Sequence, residues 1–280
     1  MSCRRRHSGT LPLLNGQTPG KAPPRTRATP PTPFGASASA RPGGRPDDVL
    51  SAETGAGRAG EVTRRLRAAY GIDAPLRPEE DDPVGALVGT ILSQHTSDLN
   101  SDRAYEAMRA RFPSWEAVRS APEGALADAI RSGGLANLKA RRIKLCLDAI
   151  VERFGRLELS ALASVDLAEA RARLRELPGV GPKTAACVLL FSLGRPAIPV
   201  DTHVHRVARR LGLIGPKTSA EAAHVELERI VPPEDAYAFH VGLVRHGRRV
   251  CKAGRPLCSL CPLTDLCDAY RGVPGSAGIA

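Results

Sequence analysis

From about residue 58 to about residue 270 the apolar residues recur at intervals of three and four, and the recurrence breaks at short polar, glycine- or proline-bearing gaps. The segments GRAGEVTRRLRAAYG, PVGALVGTILSQ, SDLNSDRAYEAMRARF, PEGALADAIRSG and ANLKARRIKLCLDAIVERFG read as successive helices. Residues 166–176 continue the series, with Leu167, Ala170, Leu174 and Leu177 on one face, and 183–193 (KTAACVLLFSL) form an apolar run of helix length. Three further helices are expected beyond it. Period-two alternation is absent throughout, so the pattern predicts an all-α protein.

The gap between residues 176 and 183 carries unusual chemistry. Leu177-Pro178-Gly179-Val180-Gly181-Pro182-Lys183-Thr184 places two glycines around one apolar residue and puts Pro182 at the first position of the next helix, where a missing N–H costs nothing. A helix, a tight glycine hairpin and a second helix result. Backbone N–H groups gathered at such a helix start suit a phosphate. Of 40 cationic residues 34 are Arg and only six are Lys, so a Lys at this point is a chemical choice. An amine can lose its proton and form a Schiff base; a guanidinium cannot. Further on, Cys251, Cys258, Cys261 and Cys267 place four of seven cysteines within 17 residues. Without a signal peptide or an apolar membrane-length run, this array favours metal over disulfides, either zinc or an iron–sulfur cluster. Cys146 and Cys187 lie in apolar helical patterns and read as buried, inert thiols.

LPGVGPKTA followed by VDTH resembles the helix-hairpin-helix DNA glycosylases, and specifically the endonuclease III family. The resemblance runs from about residue 50 to about residue 270. It implies that Lys183 is the nucleophile and Asp201 the second catalytic residue. The spacing permits this: the helix from Pro182 carries the chain roughly 17 Å away at about 1.5 Å per residue, and the extended connector to Val200 can return roughly 24 Å. Asp201 is also a favoured N-cap for THVHRVARRLG, and both readings hold together because a helix N-terminus favours a carboxylate anion. The resemblance further implies that Gly179, Val180 and Gly181 hold a DNA phosphate, that Gln94 fills the gap left by an extruded base and that Leu135 is an apolar wedge in the duplex. The cysteine spacing is similar to the family's [4Fe-4S] loop, with Lys252 and Arg255 offered to DNA. Two helical domains with a cleft between them follow: a barrel over residues 81–195 and a cluster domain from 47–80 with 196–270, leaving a disordered basic tail (1–46) and a flexible end (271–280). Gly215-Pro216-Lys217-Thr218 repeats GPKT without the lead-in or the trailing VDTH, so Lys217 reads as a surface loop residue.

The implied function is a bifunctional glycosylase and abasic-site lyase acting on oxidised pyrimidines in double-stranded DNA, as a monomer with no membrane association. Two alternatives stand beside it. An adenine-mismatch glycosylase would carry a Glu where this chain has Thr90, and a non-enzymatic cluster-bearing DNA-binding protein would have lost the chemistry. The chain departs from the family at Ala136, where an aromatic follows the wedge, and at Ser97, where an acid stands; Asp98 is next in line.

Net charge +11 favours polyanionic partners. Residues 1–46 hold eight Arg or Lys and no acid, leaving only three of those net charges to the rest. The tail reads as a grasp on nucleic acid, an organellar transit peptide or added residues without use. The Ala, Arg, Gly and Pro bias suggests a GC-rich genome and a bacterial cytoplasmic, nucleoid-associated protein. Deleting 1–46 should lower DNA affinity most at low salt and flatten the salt dependence while single-turnover excision is unchanged. Binding titrations across salt concentrations test this; a slowed chemical step would show that the tail serves the site.

Overall fold

The computed structural model describes residues 46–73 and 82–273, with side chains from residue 55 onward. The expected tail, except Pro46, and the end of the chain from 274 lie outside the described residues. No β-strand occurs among them, and no helix is long and apolar enough to cross a membrane. Helix α1 (Pro46–Tyr70) is followed by α2 (Pro83–Ser93), α3 (Asp98–Arg111), α4 (Trp115–Ser120), α5 (Glu123–Ala129), α6 (Ala136–Phe154) and α7 (Leu167–Arg175). After the hairpin come α8 (Pro182–Cys187), α9 (Thr202–Leu211), α10 (Ala220–Ile230), α11 (Ala236–Arg249) and the short α12 (Asp268–Arg271).

The helices start where polar side chains cap them. Asp82, Ser97, Ser114, Asp166, Asp201 and Ser219 each accept a backbone N–H from the first turn of the helix they precede. Helix α4 is absent from the helices expected from apolar spacing, since six residues carry too little periodicity to register. Helix α1 also begins a dozen residues before the expected start at 58.

Two apolar cores form. One joins α2 to α7, with Leu87, Ile91, Met108, Leu126, Ile143, Leu147 and Leu174 fully buried. The other joins α1 to α9, α10 and α11 through Val62, Leu66, Val204, Val207, Leu227, Phe239 and Leu243. The segment after the hairpin belongs to both. Ala185, Ala186, Val188 and Leu189 face the first core, whereas Cys187, Leu190 and Phe191 face the second. The expected uninterrupted helix over 183–193 is instead α8 followed by a π-turn at Val188–Ser192, closed by Leu193 N–H to Val188 C=O at 3.2 Å. A π-turn widens the helix and turns successive side chains to different neighbours. That geometry suits a segment buried all round.

Helix α1 is tied to the C-terminal segment by arginines two turns apart. Arg58 donates to Leu266 C=O at 2.8 Å and pairs with Asp268. Arg65 donates to Pro262 C=O at 3.0 Å and to both oxygens of Asp265. Gly212, which ends α9 at φ +72°, faces the same Asp268 carboxylate, and a Cβ there would run into it. Gly71, at φ +57°, has open space around it. Gly71→Ala should therefore cost about 1–2 kcal/mol for the left-handed backbone alone, and Gly212→Ala a further ~1–3 kcal/mol from the clash. Urea unfolding followed by circular dichroism measures both, and equal costs would show that α12 yields freely.

Candidate active site and cluster site

Between Leu177 and Pro182 the chain turns on two hydrogen bonds, Leu177 N–H to Leu174 C=O and Val180 N–H to Leu177 C=O, each at 3.1 Å. Gly179 takes φ +80°, a conformation that glycine adopts without strain. Val180 is buried in the first core, and its amide is used by the turn itself. Of the three residues expected to hold a phosphate, only Gly179 and Gly181 keep N–H groups that donate to no other described residue. This narrows the expected cradle: Val180 anchors the hairpin, and the glycines on either side present the donors.

Lys183 is the second residue of α8 and half-buried. Asp201 caps α9: its Oδ1 accepts from His203 N–H at 2.9 Å and Val204 N–H at 2.8 Å. Its Oδ2 is buried and has no hydrogen-bond partner among the described residues. Both residues act on one buried imidazole. His240 on α11 donates its Nδ1–H to Pro199 C=O at 2.8 Å and packs edge-on against Phe191. Burial pushes its pKa down to about 4, with the Asp201 carboxylate acting upward and the Lys183 ammonium downward, so the ring is neutral. Sequence reasoning passed over His240, because a histidine in an apolar helix carries no local signal.

Gln94 ends α2, and its Oε1 accepts from Arg142 Nη1 at 3.1 Å. The aliphatic stem of Arg142 lies beside Gly179, within 3.9 Å of the position a Cβ would take there. Gln94 is thereby brought to the hairpin. Leu135 stands exposed just before α6, in a left-handed conformation. Ser97, at the departure from the family pattern, caps α3, and Asp98 reaches α11 to pair with Arg248 at 2.9 Å. The acid next in line thus joins elements of the two cores. Thr90 is buried, with its hydroxyl bonded back to Ala86 C=O at 2.8 Å, and offers no acid at that position. Lys217 is exposed in the loop after α9, apart from these groups.

Cys251, Cys258, Cys261 and Cys267 all line one pocket that opens to solvent, together with Arg210, Leu211 and His246. No three His, Cys, Asp or Glu side chains among the described residues converge tightly enough for a single metal ion. Four cysteines on one pocket match the four thiolates that a [4Fe-4S] cluster takes. Donors also aim at the sulfurs: Arg210 Nη1 at Cys251 Sγ and Leu263 N–H at Cys261 Sγ, both at 3.4 Å, with His246 Nε2 at the same distance from Cys261. Burial pushes the Cys261 thiol up to about 11 and raises Cys267. Lys252 and Arg255 are exposed in the loop between the first two cysteines. Cys146 and Cys187 are buried, as expected, and burial pushes Cys146 to about 12.

Residues 88–233 match the HhH-GPD superfamily of base excision DNA repair proteins, and residues 251–267 match the iron-sulfur binding domain of endonuclease III. The chain belongs to this superfamily and, within it, to the endonuclease III family. It is 34% identical over 197 residues to endonuclease III of Thermotoga maritima, covering 70% of this chain and 88% of that one. A DNA glycosylase relative in Arabidopsis thaliana is 38% identical over 170 residues, 61% of this chain and 58% of a longer protein. Thymine-DNA glycosylase of Aeropyrum pernix is 32% identical over 228 residues, covering 77% and 96%. A trapped covalent endonuclease III–DNA intermediate superposes with TM-score 0.66 at 27% identity, over 78% of this chain and 97% of that one. The protein is an endonuclease III-like DNA glycosylase of base excision repair that binds DNA and carries an iron–sulfur cluster. Purified protein should contain iron and acid-labile sulfide and absorb in the visible. Cys258→Ser should bleach it and lower its solubility; stoichiometric zinc in a colourless wild type would overturn the cluster.

Proposed function

We propose that this glycosylase is bifunctional, excising oxidised pyrimidines and cutting the strand by β-elimination. The observation that supports it most is the buried, unpartnered Oδ2 of Asp201, whose carboxylate is fixed at the start of α9 by its capped Oδ1. Free lysine titrates at about 10.4, so the amine of Lys183 gives up its proton before it attacks. The Lys183 amine attacks C1′, the glycosidic bond breaks and the damaged base leaves with its electron pair. The nitrogen then forms a Schiff base as the sugar ring opens. Loss of a C2′ proton expels the 3′ phosphate and cuts the strand.

Asp201 offers its unpartnered Oδ2 where the sugar becomes cationic, while its capped Oδ1 fixes the carboxylate in place. The free N–H groups of Gly179 and Gly181 suit a phosphate beside the lesion. Gln94 and Leu135 enter the duplex, offsetting the stacking lost on extrusion. Cys251, Cys258, Cys261 and Cys267 hold the [4Fe-4S] cluster, which ties the small C-terminal segment together and leaves Lys252 and Arg255 outward toward DNA phosphates. The adenine-mismatch alternative fails at Thr90, whose hydroxyl is committed within its own helix.

Borohydride should trap a covalent complex between the wild type and duplex DNA bearing an oxidised pyrimidine or an abasic site. Lys183→Gln should abolish trapping and cleavage with the cluster and duplex binding intact. Asp201→Asn should slow excision about 10²–10³-fold, and Lys217→Gln should change nothing. Undiminished trapping by the Lys183 variant would refute the mechanism. Trapping by the wild type on abasic DNA alone would leave only the lyase.

A further inference from the structure

Lys139, on the inner face of α6, is almost fully enclosed for a charged side chain, at 2% exposed. Its ammonium donates to Leu92 C=O at 2.7 Å and to Gly133 C=O at 2.8 Å. The first carbonyl lies two residues before Gln94 and the second two residues before Leu135. Its backbone N–H also closes on Leu135 C=O at 2.9 Å, so this one residue grips the second turn twice. Leu92 C=O belongs to the last turn of α2, where carbonyls lack helical partners and a cation is favoured.

The two turns share a second property. His95 at φ +52° and Leu135 at φ +49° are the non-glycine residues with positive φ among the described residues. Each is strained relative to an ordinary backbone, and such conformations persist only where surrounding groups hold them. Gly133 adds close packing, since a Cβ there would meet Ala104 at 3.1 Å. Burying an ammonium is itself costly, and burial lowers the Lys139 pKa. An apolar residue would fill this space at less cost, unless the two carbonyls have to be joined.

We infer that Lys139 is a positioning residue for base extrusion, joining the turn of Gln94 to the turn of Leu135 so that gap-filler and wedge enter the duplex at a fixed separation. The inference rests on the reading of those two side chains as the inserted pair. Lys139 touches neither DNA nor the reacting atoms. Its effect falls on the extrusion step and spares the chemistry at Lys183.

Lys139→Met keeps the stem and removes the tie; Lys139→Gln keeps a shorter donor. With a duplex bearing one oxidised pyrimidine and 2-aminopurine beside it, Lys139→Met should slow both the unstacking fluorescence rise and single-turnover excision about 10–100-fold. Cleavage of an abasic site in a single-stranded oligonucleotide needs no extrusion, and its rate per borohydride-trappable enzyme should stay within about twofold of wild type. Lys139→Gln should fall between. Equal losses on both substrates, or no loss on the duplex, would overturn the inference. So would failure of both variants to trap on single-stranded abasic DNA, which would make Lys139 a residue of the fold alone. Gln94→Ala and Leu135→Ala separate the two readings. Wild-type duplex excision in both removes the insertion reading itself, whereas a defect there with none in Lys139→Met removes only the tie.

Discussion

One stretch of eleven residues, from Pro182 to Ser192, is packed into both apolar cores, and the positions of the reacting groups follow from that. Its early residues and Leu189 lie among α2 to α7, while Cys187, Leu190 and Phe191 lie against the helices around α11. Lys183 therefore stands at the start of a segment that neither core can release, beside a hairpin whose middle residue, Val180, is sunk in the first core. The connector after it returns to Asp201 through the buried Ile198 and Val200. A side chain on a segment held from both sides is placed before substrate arrives, as the proposed attack by Lys183 requires.

The cluster region solves a different problem. Residues 251–273 contribute only Leu263 as a fully buried apolar residue, too little for a core. Their position is set by charged hydrogen bonds from α1 and α9, through Arg58, Arg65 and Arg210, and by four sulfurs around a common cavity. The arginines reach carbonyls as well as carboxylates. Such contacts satisfy a loop backbone that has no helix or sheet to pair with. The cluster then closes from within what the arginines hold from outside.

Much of the candidate site was legible because its chemistry is local. The proposed nucleophile follows a glycine turn at a helix start and the capping Asp precedes its helix, so Lys183, Gly179, Gly181 and Asp201 stand in contiguous runs. The cysteines are legible for the same reason, as their spacing is set by a short loop. Lys139, Arg142, His240 and His246 were not, because each acts on groups that are distant in sequence. Lys139 still left a trace. In a chain with six Lys to 34 Arg, a Lys on the apolar face of α6 is an exception that helical periodicity could have flagged.

The helical class and the caps were determined by the sequence alone, since apolar spacing and capping side chains act within a few residues. Short α4 escaped, having too few residues for a period, as did the π-turn at Val188–Ser192, because an apolar run looks the same whether one core or two will cover it. Only the tertiary structure decided that Asp98 crosses to Arg248 and that a single ammonium joins the turns of Gln94 and Leu135. Each depends on which carbonyl or carboxylate arrives from elsewhere in the chain. Hydrogen bonds specify their partners by position in space, and that position exists only after the helices have packed.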